Sequence, residues 1–170
     1  MKTLKILLVV AFVIFSGFAR DSQTNGTKEG VGVPIKVWVT IFPDHSTGDI
    51  ACTPEAFGVS LARYGYNQGH QTHGGKLIPE LSRWEITDCI IANMQSISQV
   101  NAVHTLANGD SYSFTCVMII DLVTKNVAIN CTVTGGTGRY EGATGEITVQ
   151  GGYSGNSIPC YGEGFISFLK

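Results

Sequence analysis

The chain has 170 residues, 44% of them hydrophobic and 14% charged, with a formal net charge of -2. That length suits one domain with a substantial core. Its eleven Lys and Arg residues are scattered singly, which excludes the clustered basic surface that phosphate neutralisation needs and argues against a nucleic-acid binder.

Lys2 and Lys5 precede an apolar run from Ile6 to Phe15, and Ser16-Gly17-Phe18-Ala19 puts small residues where an export peptidase reads. The order predicts a signal peptide over residues 1–19, cleaved after Ala19. The run is about half of what a membrane-spanning helix needs, and no second one follows. No membrane span is therefore expected, and the location is secreted or periplasmic. Residues 20–33 are polar and Gly-rich without periodicity and read as a flexible leader. The domain itself is expected over 34–170.

From Pro34 onward, short β-branched and aromatic runs alternate with turn residues, and no stretch keeps a helical period over three turns. Strands are predicted over 35–41, 57–64, 83–92, 99–106, 111–122, 126–134, 146–151 and 161–169. The first alternates cleanly, with Ile35, Val37, Val39 and Ile41 on one face. Trp38 and Trp84 read as core filler. Ala107-Asn108-Gly109-Asp110 and Thr124-Lys125-Asn126 supply turns, so residues 99–134 form a three-stranded meander. The fold class is all-β, a single antiparallel eight-stranded barrel in which closure removes both edges. A β-sandwich is the alternative.

Candidate sites are few. His70-Gln71-Thr72-His73 has an HxxH spacing, but it lies on a Gly-flanked loop and lacks a third ligand, so no metal and no cofactor are expected. Thr72 and His73 read as bonded within their own loop, or else as groups at a cavity mouth. His104 reads as an outward, solvated side chain. Placed inward instead, its neutral imidazole is an acid or base. Glu80, Glu85 and Asp88 form no paired-carboxylate site. No GxSxG or comparable nucleophile motif is present. Ligand contact thus rests on Thr72, His73 and His104, and no catalytic residue is assigned.

Residues 134–146 carry five glycines, yet the spacing misses GxGxxG, no Lys-Ser/Thr follows and the next segment reads as strand. The glycines are taken as structural, making a tight corner with positive φ at one or more of Gly136, Gly138, Gly142 and Gly145. Were the corner a ligand loop, Arg139 and Tyr140 would be its contacts. Asn25-Gly26-Thr27 and Asn130-Cys131-Thr132 fit the glycosylation pattern, which matters only in a eukaryotic source.

The run GGTGRYEGATGEITVQGG resembles the Gly-rich corner and following strand of the allene oxide cyclase-like barrels, which are structurally akin to dirigent proteins. Gly69-His70-Gln71-Thr72-His73-Gly74-Gly75-Lys76 and Leu106-Ala107-Asn108-Gly109-Asp110 are similar to a Thr-His-Leu-Gly stretch and an Ala-Asn-Gly-Asp turn of exported, uncharacterised bacterial members. The three pieces occur in order across residues 69–152. Position 74 holds Gly where those relatives usually carry Leu. The resemblance implies a barrel with a central cavity. It carries over no cyclase chemistry, because the Glu and Asn cluster of the plant enzyme's cavity has no match in the first strands here.

Five cysteines, Cys52, Cys89, Cys116, Cys131 and Cys160, form no CxxC pair, so a zinc site is not expected. In an oxidising compartment two disulfides and one free thiol are expected, with the pairing left open. The leading function is binding of a small hydrophobic molecule in the barrel, or a scaffold role. The alternative is an isomerase or cyclase that folds a hydrophobic substrate in a shaped cavity. An outer-membrane barrel is disfavoured, because these strands are short and lack aromatic girdles. The oligomeric state is left open.

Overall fold

The computed structural model describes residues 32–168. The signal peptide and leader residues 20–31 lie outside the described residues. Gly32 and Val33, expected in the leader, already belong to the first strand. The strands are β1 Gly32–Ala51, β2 Ser60–Gln71, β3 Gly75–Lys76, β4 Arg83–Ala92, β5 Gln95–Thr105, β6 Ser111–Asp121, β7 Asn126–Gly136, β8 Thr144–Gly152 and β9 Ile158–Ser167. Apart from two three-residue 3₁₀ turns, Glu55–Phe57 and Gly138–Tyr140, the described residues contain no helix.

All ladders between these strands are antiparallel and form one sheet, ordered β1-β9-β8-β7-β6-β5-β4-β2-β3. A further pairing of β1 with β2 closes eight of the strands into a ring, with β3 a short edge on β2. Closure rules out the two-sheet sandwich. It follows from alternation: Ile35, Val37, Val39 and Ile41 on β1, Val127, Ile129, Cys131 and Val133 on β7, and Ile147 and Val149 on β8 all turn inward and are buried. The meander over 99–134 is present, with His104 opposite Tyr112 and Cys116 opposite Cys131.

Three expectations need correction. The second strand, expected over 57–64, starts at Ser60 and continues to Gln71. Its inward positions there are Gly65, Asn67, Gly69 and Gln71, which carry no apolar period. The last strand begins at Ile158, because Pro159 lies on the outer face and pairing continues past it. Trp38 is not core filler: it lies on the outer wall, stacked on His70 with ring centres 4.9 Å apart. Trp84 is buried.

One end of the ring is plugged by the fully buried Leu77, Leu106 and Tyr140. Tyr140 is carried by the Gly-rich corner, where Gly138 and Gly142 have φ of 58° and 64°, as the sequence predicts. At the opposite end the β1–β2 register breaks between Asp44 and Asp49, and the arm that follows reaches β4. There Thr53 bonds to Cys89 and Ile91, and the Cys52–Cys89 disulfide fastens it.

A second disulfide, Cys116–Cys131, joins facing residues of β6 and β7, and Cys160 is free and buried. Thiol titration of denatured, unreduced protein should find one free cysteine. Reduction should lower stability by about 2–5 kcal/mol, the usual range for small disulfide-bonded domains; an unchanged urea midpoint would contradict this.

Candidate functional site

The ring encloses a cavity of about 280 Å³, near the lower limit of the roughly 300–1,000 Å³ typical of small-molecule sites. Its wall is largely aliphatic and aromatic, with Val37, Val39, Ile86, Val100, Met118 and Ile129 among the contributors. No Lys, Arg, Asp or Glu lines it. At the end away from the plug it is lined by exposed His45, Ser60 and Tyr153, so it reaches solvent there. Towards the plug it meets one polar cluster, Asn67, His104 and Tyr112, with Trp84 beside it.

Strand geometry brings the cluster together. His104 on β5 and Tyr112 on β6 are register partners across the hairpin, and both side chains turn inward. Asn67 projects from the Gly-rich half of β2. His104 Nε2 lies 2.9 Å from Asn67 Nδ2, and His104 Nδ1 lies 2.8 Å from the Tyr112 hydroxyl. Tyr112 donates to Gln71 Oε1 at 2.5 Å, and Gln71 Nε2 donates to the Tyr140 hydroxyl at 3.2 Å. Arg139 completes the chain from outside, donating through Nη2 to the Tyr140 hydroxyl at 2.8 Å and to the His73 carbonyl oxygen. A line of hydrogen bonds thus runs from the cavity through the plug to the surface.

Burial decides the ionisation of these groups. The His104 imidazole is held down at about 3 because charging it inside the apolar ring would strip its hydration. Burial likewise pushes the Tyr112 hydroxyl up, with the Tyr140 hydroxyl adding to the effect. The cluster is therefore neutral near pH 7. It hydrogen-bonds and polarises without presenting a charge. Burial also raises the Cys160 thiol to about 12, which keeps it protonated and poorly nucleophilic.

Of the three expected contact residues, only His104 faces the cavity, and its outward reading is overturned: the β5–β6 register turns it inward, 5% exposed. Thr72 serves the backbone, its Oγ1 accepting from the Lys36 amide at 2.9 Å. His73 is an exposed turn residue with φ of 61°, and its carbonyl, not its imidazole, is used. His70 stacks on Trp38 outside the ring, so the HxxH pair does not converge on the cavity. Among the described residues, no group of three or more His, Cys, Asp or Glu is placed to hold a metal. Asn67, Gln71 and Tyr112 were not singled out in the sequence. For Tyr112 a signal existed, because the turn at Asn108-Gly109 sets it opposite His104.

Within the described residues no helix is long and apolar enough to cross a membrane, and the two disulfides suit an oxidising compartment. Comparisons of the chain with known protein families, with characterised proteins and with solved structures find no match.

Proposed function

We propose that this is an exported protein that binds one small, mainly apolar molecule inside the strand ring. The observation that carries the reading is an apolar cavity without Lys, Arg, Asp or Glu, open at one end, whose buried polar groups form one cluster at the other. That pattern orients an amphipathic ligand: the apolar body gains from leaving water, and the cluster selects one end. The resemblance of residues 69–152 to allene oxide cyclase-like barrels, which implies a central cavity, supports it.

Filling the cavity tests the proposal. Ala62 is buried and lines the wall, so Ala62→Phe should occupy ligand space without burying a polar group. Titration with the neutral fluorophore 1-aminoanthracene should show saturable one-site binding to the unmodified protein. Affinity should fall about tenfold or more in the variant, with a melting temperature equal or higher, as cavity filling commonly gives. Equal binding by both proteins would count against the cavity as the site.

The neutral His104–Tyr112 pair favours a second reading, a cyclase or isomerase that folds a hydrophobic substrate against the cluster. Conversion of a bound molecule that is lost in His104→Gln, while binding persists, would establish this activity.

A further inference from the structure

Two buried polar atoms beside the cavity have no partner in the protein: Asn67 Oδ1 and the indole Nε1–H of Trp84. A buried polar group without a bond loses hydration and gains nothing in return, so such atoms mark places where something else completes the bond. The two are opposite in kind, since the carbonyl oxygen only accepts and the indole only donates. They come from neighbouring inward positions of the cavity wall. The Trp84 indole sits across Gly65, its Cε2 and Cζ2 filling the space a Cβ there would take. Gly65 is the next inward position to Asn67 along β2.

The hydrogen-bond distances favour the carbonyl oxygen as the spare end of the Asn67 amide. The 2.5 Å between the Tyr112 hydroxyl and Gln71 Oε1 suits O–H···O and is short for N–H···O, whereas 3.2 Å from Gln71 Nε2 to Tyr140 suits an N–H donor. Tyr112 therefore gives its only proton to Gln71 and must accept from His104 Nδ1–H. That tautomer leaves His104 Nε2 to accept from Asn67 Nδ2. Reversing the chain would place an N–H donor at the 2.5 Å contact. The carbonyl oxygen of Asn67 is the atom left over, with the cavity as the open space that Asn67 borders.

We infer that the cavity selects a neutral alcohol, an apolar body with one hydroxyl that donates to Asn67 Oδ1 and accepts from Trp84 Nε1–H. The inference rests on the cavity-binding reading above. A hydroxyl is the smallest group that answers both unpaired atoms. An ether or ketone accepts from Trp84 but leaves Asn67 unpaired. A carboxylate enters a wall that has no Lys or Arg and a neutral imidazole, so its charge is uncompensated.

Isothermal titration with two isomers, 1-octanol and heptyl methyl ether, separates the donor from everything else, since size and hydrophobicity are nearly matched. The alcohol should bind about tenfold or more tightly, because it alone supplies the donor that the already buried Asn67 Oδ1 lacks. Octanoate should bind more weakly than either at neutral pH. In Asn67→Leu the preference for the alcohol should vanish while ether binding persists. Trp84→Phe, which removes the N–H donor and makes the buried aromatic smaller, should weaken both isomers by similar factors; it also serves if the Asn67 variant does not fold. Equal binding of the two isomers, or tighter binding of octanoate, overturns the alcohol inference and leaves the cavity reading standing. Failure of every one of these molecules, together with 1-aminoanthracene, to bind overturns both.

Discussion

Acidification from pH 6.5 towards 3 is expected to destabilise the fold by several kcal/mol in total, and His104→Gln should remove most of that slope. In the folded state His104 titrates at about 3 because it is fully buried, whereas in the unfolded chain its ordinary value is about 6.5. Between those values the unfolded state holds a proton that the folded state refuses, so stability is complete above about pH 6.5 and declines at up to about 1.4 kcal/mol per pH unit as pH falls. Asp44 and Asp121 have carboxyls held below their usual range by hydrogen bonds from Ser46 and from the Thr124 and Val123 amides respectively. They add a loss only at lower pH, where they become protonated in the unfolded chain. The interval from about pH 6.5 to 4.5 therefore isolates the histidine. Urea midpoints measured across it should slope in the native protein and flatten in the glutamine variant, which is less stable at pH 7 but uncharged throughout. A native protein with constant stability over that interval would show that His104 is not buried as described.

Gly164→Ala is expected to destabilise by about 3 kcal/mol or more, a large effect for adding one methyl group. Gly164 points inward on β9 opposite Ile147 of β8. A Cβ there would run into the Glu146 carbonyl oxygen and the Ile147 Cα, both backbone atoms of the neighbouring strand. Backbone cannot step aside as a side-chain tip can, so the β8–β9 ladder must separate. Gly155 gives the contrast. It has φ of 60° with nothing near its absent Cβ, so alanine there should cost only about 1 kcal/mol. Chemical denaturation of the two variants measures the difference, and comparable losses would refute the close-approach argument. Gly138 in the Gly-rich corner combines both problems, with φ of 58° and the Asp110 carboxylate where a Cβ would stand, which is the physical reason that corner is written in glycine.

How much of this was legible in the sequence depended on whether inward positions were apolar. β1, β6 and β7 were readable because Ile35 to Ile41, Tyr112 to Ile120 and Val127 to Val133 alternate between core and solvent. The second half of β2 was not, because its inward face is Gly65, Asn67, Gly69 and Gln71, and a strand whose core side is glycine and amide looks like a loop. Those amides make up much of the candidate site. The misplaced strand and the missed residues therefore have one cause: the local rule of apolar inside, polar outside fails where the interior is polar. His104 escaped the rule in the same way. It was visible as a residue, but its direction depends on pairing with Tyr112, and inward or outward placement differs by a single step of register.

The strand order carries a kinetic consequence. β1 is the first strand in the sequence, yet it lies between β2 and the last strand, β9. The segment from β4 to β9 grows by adjacent hairpins, with contacts that are local and quick to form. The seam between Val37 and Gly162 joins residues from opposite ends of the domain, and its loop-closure entropy must be met before its hydrogen bonds form. Sealing that seam is expected to be the late step of folding, with a long-lived open sheet before it. Until then the free edges of β1 and β9 are each available to a second chain, so refolding yield should fall as protein concentration rises, even though both of these edges are paired in the finished ring.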